Sequence, residues 1–110
     1  MIEPGKLNGY LVAIKEELRK AEGKHPDFCE ALLDPESRVS WAESEFRIKA
    51  RNLFTKEWYA DNVLMEEIAE AFNAYQHGDK QNALKEFAQC GAVILRIMEK
   101  IDEKGKAKNG

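Results

Sequence analysis

Apolar residues recur at helical spacing along most of the chain, and each run ends at a recognisable stop. Leu7, Leu11, Ile14, Leu18 and Ala21 follow one another at intervals of four and three, which predicts a first helix from about Lys6 to Glu22 with Gly23 placed to end it. Pro26, followed by Asp27 and Glu30, predicts a capped short helix through Leu33, and Asp34 before Pro35 breaks it. Ser40 with Glu43 forms a second capping box, opening a helix to about Phe54 whose inner face would use Trp41, Ile48 and Leu53. A third helix, capped by Asp61 or Asn62, carries Leu64, Ile68, Ala71, Phe72 and Tyr75 on one stripe and stops at Gly78. Asp79 then caps a fourth helix to about Glu103, apolar between Phe87 and Met98 except for Gln89 and Arg96, so this helix needs cover on most sides.

No Val/Ile/Thr-rich alternating run and no Asn-Gly or Asp-Gly hairpin turn is present, so the expected class is all-α. The expected architecture is a small helical bundle of four main helices plus the short connector helix. It is read as one domain over 1–103, with the hairpin at 62–103 and a disordered basic tail at 104–110. The 110 residues accommodate a single domain, and a chain this short is expected to complete its core by pairing with copies of itself. The longest uncharged stretch, Phe87 to Leu95, is too short for a bilayer span. The opening Met-Ile-Glu-Pro-Gly-Lys lacks the apolar run of a secretory signal. A cytoplasmic protein with two free thiols is therefore expected. A net charge of -3 disfavours nucleic acid polymers as ligands.

The most informative pattern is acidic. Glu66-Glu67-Ile68-Ala69-Glu70 precedes the turn at Gly78, and Glu86-Phe87-Ala88-Gln89 follows it. Residues three apart share a helix face, so Glu67 projects with Glu70 and Glu86 with Gln89. Glu70 and Glu86 are each eight residues from Gly78, and Glu67 and Gln89 are each eleven. In an antiparallel hairpin these pairs form two rungs about 4.5 Å apart in height. Angles of about 100° per residue put Glu67 about 80° from the centre of the apolar stripe, with Glu70 and Glu66 further round. Carboxylates gathered there and partly desolvated raise one another's pKa unless a cation neutralises them, and Mg²⁺ or Mn²⁺ is the fitting partner. Such an ion brings phosphate oxygens with it and activates water, which a glutamate can orient or deprotonate. Glutamates three apart also occur on many solvated helix faces, and a solvated role is the competing reading.

At these residues the chain resembles the MazG-like all-α nucleoside triphosphate pyrophosphohydrolases, whose hallmark is E-E-x-x-E followed downstream by E-x-x-D. Leu64 to Ala71 matches the first half. Glu86 to Val93 matches the second, 15 residues beyond Glu70, and the resemblance spans about Val63 to Ile101. It implies a dimeric or tetrameric helical bundle that uses Mg²⁺ to cleave a nucleoside triphosphate into monophosphate and pyrophosphate. Carried over residue by residue, Glu67, Glu70 and Glu86 are expected as metal ligands and Glu66 as a further ligand or water-orienting group. Gln89 stands where the family has Asp, keeping an oxygen donor but losing a charge. That substitution keeps open a second expectation, a non-catalytic helical module that oligomerises or binds a partner with a degenerate site. Ala69 replaces a glycine frequent in the family.

Outside the motif the candidates are weaker. Trp41, Trp58 and Tyr59 offer flat faces to a nucleobase but have the spacing of core aromatics, and Trp58 lies close before the motif. Lys80, Lys85 and Arg96 are candidates for phosphate contacts, Arg96 equally for an ion pair across an interface. Glu43 and Glu45 precede Arg47 and Lys49 by four residues, the order for ion pairs on a solvated face, with phosphate binding by Arg47, Lys49 and Arg51 as the alternative. His25 and His77 fall in breaks, and Cys29 and Cys90 lack metal-ligand spacing, with Cys90 expected in the core.

Overall fold

The computed structural model describes residues 1–37 and 40–109, the last four of these by backbone alone. The chain is all-α, with four helices and, among the described residues, no strand. They are α1 (Pro4–Lys24), α2 (Trp41–Leu53), α3 (Ala60–Gln76) and α4 (Lys80–Asn109). No helix among the described residues is long and apolar enough to cross a membrane. The chain divides into two compact units, one of Met1–Asp34 with Leu95–Gly110 and one of Pro35–Ile94.

In the first unit, α1 begins earlier than the periodicity predicts. Glu3 accepts hydrogen bonds from the Gly5 and Lys6 amides at 2.8 and 3.0 Å, and Pro4 occupies the first turn, where its missing N–H is no loss. Gly23 does not end the helix, which runs one residue further to a cap at His25. The Tyr10 hydroxyl donates to Asp102 Oδ2 at 2.9 Å, tying α1 to the second half of α4. Burial, reinforced by that bond and the Asp102 charge, pushes the Tyr10 phenol up to about 12. The expected short helix from Asp27 to Leu33 does not form; the segment is a series of bends with Phe28 exposed. Two turns of helix are marginal without a buried face, and this segment has none. The expected tail is different too. α4 continues through Asn109 instead of ending near Glu103, because no proline follows Pro35 to break it. Gly110 lies outside the described residues.

The second unit holds α2, α3 and the first half of α4. Its most buried residues are small: Ala69 and Ala71 are fully buried, with Ala83 and Cys90 nearly so. Small side chains let helix backbones approach closely, and aromatic rings fill the flank. Trp41 stacks on Phe72 at 4.8 Å between centroids, and Phe72 meets Phe87 edge-on at 5.1 Å. Ser40 caps α2 as expected. Leu53, expected in the core, is 83% exposed, and its neighbour Asn52 is buried in its place. Several apolar side chains of α4, including Leu84, Ile94 and Ile101, are exposed in the single chain.

The turn between α3 and α4 fixes the hairpin. Gly78, at φ +81°, donates to the Tyr75 carbonyl, and the Asp79 amide reaches back to the Ala74 carbonyl, both at 3.0 Å. This paired closure consumes the carbonyls left over at a helix end and requires a left-handed residue. Asp79 Oδ1 then accepts from the Asn82 amide at 3.1 Å, opening α4. Tyr59 is the N-cap of α3 without a side-chain bond, and Asp61 sits in the first turn, accepting from the Asn62 amide. Gly78→Ala is expected to destabilise the protein by about 1 kcal/mol, a fall in melting temperature of about 5 °C. Gly9→Ala, within α1 and with no atom within 4 Å of the added carbon, is expected to raise it. Thermal denaturation followed by circular dichroism distinguishes the two signs.

Candidate metal centre

α2 and α3 run antiparallel, as their ends show: the Trp41 amide donates to Gln76 Oε1, and Asn52 Nδ2 donates to the Asn62 carbonyl. Glu45, Lys49 and Asn52 are spaced i, i+4, i+7 on α2, and Glu66, Glu70 and Asn73 have the same spacing on α3. Each row is one helix face. The two rows meet in register. Asn52 Nδ2 donates to Glu66 Oε1 at 3.3 Å, Lys49 Nζ pairs with Glu70 Oε1 at 3.3 Å, and Asn73 Nδ2 donates to Glu45 Oε2 at 3.4 Å. Lys49 also lies 3.8 Å from Glu45 Oε2 on its own helix.

α4 reaches the same stretch of α3. Glu86 stands within hydrogen-bonding reach of Glu70. With its amide nitrogen turned toward the site, Gln89 donates to Glu67 Oε2 and Glu86 Oε2, both at 2.9 Å. Both rungs expected from the symmetric spacing about Gly78 are thus present, Glu70 opposite Glu86 and Glu67 opposite Gln89. Along α3, carboxylate oxygens of Glu66, Glu67 and Glu70 lie within 4.8 Å of one another.

The electrostatics follow from that crowding. Burial, then the charges of Glu70 and Glu66, hold the Glu67 carboxyl above the usual carboxylate range. Burial and the bond to Glu86 raise Glu70 as well, against the pull of Lys49. Burial alone would lower the Lys49 ammonium, but its hydrogen bond to Glu70 and the charges of Glu70, Glu45 and Glu66 outweigh this and leave it raised. Burial and the nearby carboxylates push the Cys90 thiol up, so this core cysteine stays a thiol. Two amide oxygens, Asn52 Oδ1 and Asn73 Oδ1, are buried with no hydrogen-bond partner in the protein. A hard divalent cation fits this donor set, because it takes oxygen ligands and relieves the repulsion between the carboxylates.

Two clefts flank the cluster. One, of about 400 Å³, is lined by Glu45, Lys49, Glu70, Asn73, Glu86 and the turn between α3 and α4. In it the His77 ring donates from Nδ1 to the Asn73 carbonyl at 2.9 Å, consistent with an ordinary helix-end histidine. The other, of about 500 Å³, is lined by Lys49, Asn52, Thr55, Lys56, Trp58 and Glu66 among others. No family model, curated protein or solved structure matches the chain.

The structure therefore gathers Glu66, Glu67, Glu70, Glu86 and Gln89 at one place and sets Trp58, 77% exposed, on an adjoining cleft. Lys80 and Lys85 are exposed and line neither cleft. Arg96 is exposed and belongs to the other unit. Sequence reasoning missed the α2 contribution. The Glu43–Arg47 pair does sit on an exposed face, with its ions 2.6 Å apart, but Glu45–Lys49 turns inward. Asn52 continuing the Glu45–Lys49 row by three more residues is the signal that marks this face as a partnered one.

Without divalent cations, Glu67→Gln is expected to be more stable than the wild type by an amount that depends on pH. A carboxyl whose folded pKa is raised contributes stability below its ordinary value of 4.5 and loses it as pH rises through the folded value. The advantage of the amide variant should therefore be small near pH 4.5 and grow to a plateau toward pH 8, read as the difference in melting temperature in the presence of a chelator. An advantage constant across that range would mean that Glu67 titrates normally.

Proposed function

We propose that the protein is a divalent-metal-dependent nucleotide pyrophosphohydrolase, converting a canonical or modified (deoxy)nucleoside triphosphate to its monophosphate and pyrophosphate. The observation that carries this reading is the convergence of four carboxylates and one amide from two helices on a partly desolvated site, in the order and spacing of the MazG-like motif. Glu67, Glu70 and Glu86 would hold Mg²⁺ or Mn²⁺, and Gln89 would turn its carbonyl oxygen inward to join them. The bound ion supplies charge neutralisation at the phosphate oxygens and an acidified water.

The remaining roles fall to side chains of the chain itself. Glu66, with Oε1 held by Asn52, presents its carboxylate to take the proton of the attacking water. Trp58 supplies a face for the nucleobase in the adjoining cleft. The exposed apolar side chains of α4 support assembly with further copies of the chain, as a dimer or tetramer, and cytoplasmic residence suits a nucleotide substrate. Lys80, Lys85 and Arg96 have no contact that ties them to the site, and their part in binding rests on charge alone.

A second reading, a helical assembly or binding module with a degenerate site, is favoured by one observation. The Gln89 amide and the Lys49 ammonium already supply donors and charge to the carboxylates that a metal would neutralise. The readings separate in one assay. Pyrophosphate release from a panel of NTPs and dNTPs with Mg²⁺ or Mn²⁺ is expected, and Glu67→Ala should lower it by at least about a hundredfold. No turnover by the wild type, or full turnover by Glu67→Ala, rejects the hydrolase.

Binding gives an independent check. Mn²⁺ with nucleotide at about 100 times its dissociation constant should stabilise the folded protein by about 2.7 kcal/mol, and an unmoved melting curve favours the module. Gln89→Asp restores the charge of the motif. It should lower the melting temperature without metal and tighten Mn²⁺ binding by roughly tenfold, measured by calorimetry.

A further inference from the structure

Lys49 occupies an unusual place for a lysine 47% exposed to solvent. Its ammonium is 3.3 Å from Glu70 Oε1 and 3.8 Å from Glu45 Oε2. It lines the acidic cleft together with Glu70 and Glu86, and it also lines the Trp58 cleft together with Asn52 and Glu66. The ammonium thus stands at the boundary between the part of the protein suited to a cation and the part suited to a base.

A divalent ion and this ammonium compete for the same carboxylate. An ion held by Glu70 takes the oxygens that Lys49 now uses, and the two positive charges repel at such distances. Glu70 is fixed on both sides, by α2 and by α4, whereas lysine is a compact charge on a flexible four-carbon stem and moves at little expense. Its partial exposure leaves room for that motion. A displaced Lys49 ammonium stays on the wall common to both clefts, where it would offer positive charge to a phosphate group bound beside the acidic cluster.

Building on the proposed hydrolase reading, we infer that Lys49 is a displaceable counter-ion: it neutralises Glu70 in the resting protein, is ejected when a divalent cation binds, and then binds a phosphate of the incoming nucleotide. Metal therefore binds first and prepares the phosphate site. The ammonium acts by position and charge only, and no bond to it is made or broken.

Calorimetric titration of the wild type, Lys49→Gln and Lys49→Arg tests this, first with Mn²⁺ alone, then with the α,β-imido analogues of the four deoxynucleoside triphosphates at saturating Mn²⁺. Lys49→Gln should bind Mn²⁺ about threefold to fivefold more tightly, having lost the competitor. The same variant should bind its best analogue about tenfold to a hundredfold more weakly, having lost a charged phosphate donor. Lys49→Arg, which keeps the charge, should stay near the wild type in Mn²⁺ affinity. Opposite changes for the two ligands support the inference, since general loss of structure would weaken both. Equal Mn²⁺ affinity in wild type and Lys49→Gln, or unchanged analogue binding, overturns it while leaving the hydrolase reading intact. Absence of Mn²⁺ binding in all three proteins overturns both.

Discussion

Glu70 is the side chain on which the second unit turns. It faces α2 through Lys49 and α4 through Glu86, so one carboxyl group joins three helices. That position is possible because the residues around it are small. Ala69 and Ala71 on α3, with Ala83 and Cys90 on α4, leave too little volume for side chains between the backbones, and polar groups at the edges must meet. The polar row from α2 follows from the same closeness: with α2 antiparallel to α3, equal spacing on both helices brings Asn52, Lys49 and Glu45 to Glu66, Glu70 and Asn73 in turn. The cluster is thus a consequence of how the helices approach, and its chemistry follows from what happens to charges held there.

Those charges are in conflict. Glu67 and Glu70, close to further carboxylates and partly removed from water, are held above the usual carboxylate range, and the protein answers with one ammonium and two amides. Each of these partial remedies is weaker than a divalent cation, which neutralises two charges at once. A solvated helix face would show no such strain, because its carboxylates could separate into water. The raised Glu67 and Glu70 carboxyls are what partial burial of neighbouring carboxylates produces.

The α3–α4 hairpin was legible because its determinants are local. Gly78 fixes the turn, equal distances from it pair Glu70 with Glu86 and Glu67 with Gln89, and helix geometry does the rest. The role of α2 was not, because the i, i+4 pair Glu45–Lys49 has the same signature on a solvated face as on a buried one. Which face of α2 meets α3 depends on tertiary packing, and Leu53 lost to Asn52 there because the polar row on α3 required polar partners. Angular reckoning from the apolar stripe placed Glu66 furthest from the core for a related reason: it took account of one partner helix, and α3 has two. The segment from Asp27 to Leu33 failed in the opposite way, since its capping signals are sound but no surface receives its apolar side chains.

Gln89 carries the last step. An aspartate there would add a further negative charge to a site where carboxylates already repel one another, and the hairpin would then depend on a cation for much of its stability. The amide instead donates to Glu67 and Glu86 and, on the proposed reading, would turn over to offer its oxygen to an ion. Its metal binding would then be weaker than an aspartate would give. On the proposed reading, that deficit is made up by the substrate, whose phosphate oxygens complete the ion's coordination. Metal and nucleotide would then bind as mutually dependent ligands, each tightening the other, and the empty site would remain folded between turnovers.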